Sequence, residues 1–161
     1  QAPVQSVALC IPFVNLARMG AEGKEVISTD HLLIGKKVVV FGLPGAFTPT
    51  CSAKHLPGFV EHADAIKAKG IDTIACIAVN DAFVMAAWGK DQNVGDKVMM
   101  VADGSAHFAK AVGLELDLSD RGMGMRCKRF SMLVEDCVIK RLNIDGPTFE
   151  KTSAEQMLSD L

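Results

Sequence analysis

Apolar residues along this 161-residue chain fall into short runs of two kinds. Lys37 to Leu43, Thr73 to Val79 and Val98 to Ala102 are continuous apolar runs rich in β-branched residues, and each predicts a strand buried on both faces. Between them the spacing changes to that of helices. Ser52 to Lys69 places Leu56, Val60, Ala63 and Lys67 on one side and ends at Gly70, with Pro57-Gly58 predicting a kink. Asn80-Asp81 opens a helix towards Gly89, and Ser105, after the Asp103-Gly104 turn, caps a short one ending near Gly113. Phe130 to Glu135 and Val138 to Asn143 predict a hairpin across Asp136-Cys137. Thr152-x-x-Glu155 has capping-box spacing and opens a final helix to Leu161. The stretch up to Gly35 is less regular and predicts short strands with a helical turn from Ser28 to Ile34. The alternation predicts one α/β domain over residues 1–161, a central sheet flanked by helices.

Composition narrows the partners. A chain of this length buries roughly 70% of its unfolded surface, and 49% hydrophobic with 22% charged residues describes a soluble globular protein. A net charge of −2 gives no reason to expect nucleic acid or an anionic membrane as a partner. No apolar run approaches the ~18 residues of a membrane span. Pro12 interrupts the segment Val7 to Val14, which also lacks a basic leader and so does not read as a secretory signal. The chain starts at Gln1, so a removed presequence is one expectation. Cysteines 10, 51, 76, 127 and 137 form an odd, widely spaced set, unlike a disulfide-stapled framework. There is no Cys-x-x-Cys or His-x-x-x-His, and His31, His55, His62 and His107 do not join the cysteines at ligand spacing, so neither a metal nor a thioredoxin-type dithiol is expected. Reduced cysteines in a reducing compartment follow: the cytoplasm, with mitochondrion or plastid as the alternative.

The segment Pro44-Gly45-Ala46-Phe47-Thr48-Pro49-Thr50-Cys51 carries the chemistry. It joins a strand to a helix start, with Thr48 as the cap and Pro49 at the first helical position. Cys51 then falls in the first turn, where amide donors and the helix dipole favour a thiolate. It also lies at the carboxyl end of a core strand, where open α/β sheets place their sites. The Thr48 hydroxyl, beyond capping, is within reach of the sulfur or a bound oxygen. Pro44 either terminates the strand or keeps water off the thiolate. His55, one helical turn on, invites a Cys–His pair, although a place on the helix face fits its direction better. Cys10 and Cys137 have no partner in sequence and read as packing.

Pro44-x-x-x-Thr48-x-x-Cys51 resembles the active-site motif of the peroxiredoxins. The longer string from Val40 to Ser52, with His55-Leu56-Pro57-Gly58-Phe59, is similar to the subgroup of plant type II peroxiredoxins and animal peroxiredoxin five. The likeness continues through Val79-Asn80-Asp81-Ala82-Phe83-Val84 and Lys128-Arg129-Phe130-Ser131-Met132 to the final helix. The resemblance implies a thioredoxin-like fold with a central mixed sheet and an N-terminal extension. It implies cofactor-free, thiol-dependent reduction of hydrogen peroxide and alkyl hydroperoxides. Cys51 takes the peroxidatic position, Thr48 the hydroxyl, Pro44 the shield and Arg129 the cation that holds the peroxide, with Gly45, Phe47 and His55 around the substrate. A homodimer through loops at Phe47 and Phe83 is also implied.

Attack by the Cys51 thiolate on a peroxide oxygen moves negative charge onto the departing oxygen, and donors fixed along that axis stabilise it. The product is a sulfenic acid that a thiol must resolve. Animal members use a cysteine near the C-terminus, but Pro147 to Leu161 contains none. Plant members have a cysteine matching Cys76, which here sits inside an apolar strand, so direct attack by glutathione, glutaredoxin or thioredoxin is favoured. Cys127 is an extra thiol beside the arginine. A different class is a peroxide sensor or chaperone that forms the sulfenic acid without turnover. A Cys–His hydrolase has only His107 as a weak partner, and a phosphatase-type loop fails because Pro57 stands where its arginine belongs.

Overall fold

The computed structural model describes residues 9–161, so the first part of the N-terminal extension, residues 1–8, lies outside it. Strands β1 (Leu9–Cys10), β2 (Asn15–Gly20), β3 (Gly23–Ser28), β4 (Lys37–Gly42), β5 (Thr73–Ala78) and β6 (Met99–Ala102) are followed by β7 (Glu115–Leu118), β8 (Gly124–Cys127), β9 (Arg129–Glu135) and β10 (Val138–Asp145). Eight of them form one sheet in the order β1-β10-β9-β4-β5-β6-β2-β3, and β7 pairs with β8 alone. β4 runs parallel to β5 and β5 to β6, while β9 is antiparallel to β4, so the sheet is mixed.

The continuous apolar runs are strands because both faces of the sheet are covered. Val38 and Val40 point into one core with Leu32 and Leu33 of α1 (Thr29–Leu33) and Phe108 of α5 (His107–Ala111). Val39 and Phe41 point into the other, against α2 (Leu56–Glu61), α3 (Ala63–Lys67), α4 (Ala82–Asp91) and α6 (Ala154–Asp160). Gly42 ends β4 where a Cβ would lie 2.1 Å from the Phe130 ring, so the strand carrying Phe130 can pack there only beside a glycine.

Several expectations shift in detail. The kink near Pro57 is a wide π-helical turn over Cys51–His55, closed by the Leu56 N–H on the Cys51 carbonyl, and the following proline has no N–H to continue the narrower pattern. The cap of α5 is not Ser105: the Asp103 carboxylate accepts from the N–H groups of Phe108 and Ala109. The cap of α6 is Ser153, which accepts from Gln156, and Thr152 is turned inward instead. The β7–β8 ribbon went unread, although Glu115-Leu116-Asp117-Leu118 alternates with period two.

Candidate active site

The helix that follows β4 begins at residue 49, so Cys51 lies in its first turn as its motif requires. The side chain is fully buried in the core that the helices cover. The Arg129 Nη2 group donates to its sulfur at 3.3 Å. Arg129 opens β9, whose register with β4 sets Phe130 opposite Gly42 and so brings Arg129 to the end of β4 from which the Cys51 loop departs. A donor and an acceptor 78 residues apart meet because two adjacent strands end together.

His55 lies one helical turn further along the same helix and is also fully buried. Its Nδ1 stands 2.9 Å from Arg129 Nη1, and its Nε2 stands 2.9 Å from the Thr152 carbonyl oxygen. A guanidinium cannot accept and a carbonyl cannot donate, so the ring must be neutral with its proton on Nε2. Burial, and then the Arg129 charge, hold the His55 pKa down to about 3. His55 thus stands beside the guanidinium that reaches Cys51. Both ring nitrogens are engaged within the protein, one by Arg129 and the other by Thr152. The Phe149 ring faces the same arginine, 5.7 Å from the guanidinium carbon.

The turn before the helix carries the other motif residues. The Thr48 hydroxyl donates to the Gly45 carbonyl at 2.7 Å and does not cap the helix. Its hydrogen is thus committed, and a lone pair remains for a bound hydroxyl or hydroperoxide. The Ala46 N–H donates to Asn80 Oδ1, which ties the turn to the start of α4, and Trp88 Nε1 donates to Ser52 Oγ at 3.0 Å. Phe47 stands out of the turn, 54% exposed and at a positive φ of 61°. Arg126, in β8, also reaches this turn. Its Nη1 donates to the Pro44 carbonyl at 3.3 Å and lies close over Gly45. No local signal marks it; the contact spans 82 residues.

The remaining thiols differ. Cys76 is fully buried opposite Phe41 on the same face of the sheet as Cys51, and burial pushes its thiol well above the ordinary range. Cys127 belongs to the opposite core, donates to the Leu43 carbonyl and is pushed up to about 12 by burial. All five cysteines are free. Among the described residues no three His, Cys, Asp or Glu side chains gather as a metal-ligating group, and no helix is long and apolar enough to cross a membrane.

Comparison with known proteins places this arrangement. Residues 6–158 match the Redoxin family. The chain is 50% identical over 140 residues to "Peroxiredoxin-2E, chloroplastic" of Arabidopsis thaliana, an alignment that takes in 85% of this chain and 60% of that one. It is 49% identical over 138 residues to Peroxiredoxin-2B of the same plant, with 85% of each chain covered. Reduced Prx3 in complex with H2O2 from Vibrio vulnificus superposes with a TM-score of 0.91 at 46% identity, covering 94% of this chain and 96% of that one. The chain therefore spans less than two thirds of the chloroplastic relative's length.

Proposed function

The chain belongs to the Redoxin family as a type II peroxiredoxin with a thioredoxin-like fold, and on that premise we propose that Cys51 is the nucleophile of a thiol-dependent peroxidase. The observation that carries this reading is the Arg129 guanidinium donating to a fully buried sulfur. A charged donor at that distance is fixed in advance and stays in place as charge moves from sulfur to the departing oxygen.

In the proposed reaction a hydroperoxide enters beside Thr48 and donates its O–H to the free lone pair there. The Cys51 sulfur attacks that oxygen, the O–O bond breaks, and hydroxide or alkoxide departs towards Arg129 and the amides of the Gly45 turn, then takes up a proton. Pro44 shields the sulfur from bulk water, and Phe47 stands at the mouth. The sulfenic acid is then attacked by an external thiol: water leaves, a mixed disulfide forms, and a second thiol releases Cys51. Glutathione, glutaredoxin or thioredoxin suits this role better than Cys76, whose buried sulfur lies mid-strand with its proton strongly held. Exposed Phe47 and Phe83 suit a homodimer contact. Five free thiols suit a reducing compartment, cytosol or plastid.

The test is peroxide consumption with a thiol reductant. Many equivalents per chain are expected from the wild type and none from Cys51→Ser. Sustained turnover by that variant would defeat the reading, and a single equivalent consumed by the wild type would support the sensor class instead.

A further inference from the structure

Asp145 ends β10 directly opposite Arg129, its register partner on β9. An aspartate so placed is a natural ion-pair partner for a guanidinium. Yet among the described residues no carboxylate oxygen lies within 4.0 Å of the Arg129 nitrogens. The Asp145 carboxylate is turned into the segment that follows it. Its Oδ2 accepts from the N–H groups of Glu150 (3.0 Å) and Thr152 (3.2 Å) and from the Thr152 hydroxyl (2.7 Å), while Oδ1 accepts from the Lys151 N–H (2.8 Å). Those four donors match the acceptor capacity of a carboxylate. The same segment presents two groups to the site. The Thr152 carbonyl holds His55 Nε2, and the Phe149 ring lies 5.1 Å from the His55 ring and 5.7 Å from the Arg129 guanidinium carbon.

We infer that Asp145 is a positioning residue for Arg129: by gathering residues 150–152 its carboxylate is kept off the guanidinium, and the turn it organises holds His55 against Arg129 and so aims Arg129 at Cys51. This rests on the reading of Arg129 as the catalytic cation. A carboxylate touching that guanidinium would compete with the sulfur anion for the same charge. A turn without its anion would leave three N–H groups unpaired and free the Thr152 carbonyl from His55. Asp145 does not touch the reacting atoms. Its effect travels through Thr152 and His55.

A double-mutant cycle reads this directly. The rate of Cys51 oxidation by hydrogen peroxide in a single turnover is measured for wild type, Asp145→Asn, Arg129→Ala and the double variant. Asp145→Asn is expected to slow the wild type about tenfold, the scale of losing an outer partner of a reactive centre, and to change the Arg129→Ala background by less than about twofold. An unchanged rate in the wild-type background, or the same loss in both backgrounds, would overturn the assignment. Should Asp145→Asn not fold, Phe149→Leu enters the same cycle with the same criterion. A second readout is independent of turnover: the ¹⁵N resonances of the His55 ring in reduced protein. A ring protonated on Nε2 in the wild type and a displaced Nε2 signal in Asp145→Asn are expected; identical signals in the two would sink the inference. If the wild type failed to react with peroxide while this spectral difference appeared, the functional reading would fall and the positioning role would stand.

Discussion

Cys51 and Cys76 are both fully buried, and both lie in the core beneath the same helices. Their surroundings nevertheless have opposite consequences. Cys76 sits in the middle of β5, between β4 and β6, where the backbone groups serve the ladders and its register partners are Phe41 and Met100. Burial there pushes its thiol well up. Cys51 lies just beyond the end of β4, in a helix turn that a guanidinium from the adjacent strand can reach. Depth in the core is therefore not what separates a structural thiol from a reactive one. Position relative to the strand ends does: Arg129 opens β9 beside the end of β4 and reaches the Cys51 sulfur, whereas Cys76 sits mid-strand.

The comparison can be broken most severely at the arginine. Arg129→Ala leaves Cys51 in a setting like that of Cys76, and its single-turnover oxidation by peroxide is expected to slow by about 10²-fold or more, the usual scale for removing one fixed donor from a developing charge; a loss below threefold would contradict the role given to Arg129. Thr48 comes next. Thr48→Val removes both the bond to Gly45 and the free lone pair, and stopped-flow oxidation should fall about tenfold, whereas Thr48→Ser should retain most of the rate. Equal damage from the two would show that the methyl group, not the hydroxyl, matters.

His55 sharpens the contrast through acidity. Its pKa is about 3 in the fold, against 6.5 ordinarily, so the unfolded chain binds the proton more readily. The fold's advantage is complete above the ordinary value and is lost as pH falls from about 6.5 towards 3, at a limiting slope of about 1.4 kcal/mol per pH unit. His55→Gln keeps a donor and an acceptor but does not titrate. Denaturant melts between pH 7 and 4 should show a shallower loss of stability for that variant, and parallel curves would refute the neutral buried ring. The smallest effect is expected at the other thiol. Cys76→Ser should leave turnover with an external thiol unchanged, and a collapse of turnover would restore Cys76 as the resolver.

The turn that presents Cys51 was legible in the chain because its signals are local. A β-branched run, a Thr-Pro helix start and a cysteine in the first turn lie within fifteen residues and act through adjacent backbone. The strands of the sheet interior were equally plain, since both of their faces are buried and their runs are unbroken. Arg129 was reachable only through family resemblance; in a basic stretch its own surroundings carry no signal. The contacts of His55, Thr152, Asp145 and Arg126 were not legible, and Thr48, Ser105 and Thr152 were misread as caps because spacing shows that an acceptor is available, not which donor it meets.

Local order along the chain thus determined the elements, the sulfur and the turn that presents it. Tertiary structure decided which cation faces that sulfur, which way the imidazole carries its proton, and where the aspartate opposite the arginine spends its charge. Hydrogen bonds spanning 74 to 97 residues depend on strand register and on where neighbouring strands stop, and these emerge only when the whole sheet has assembled.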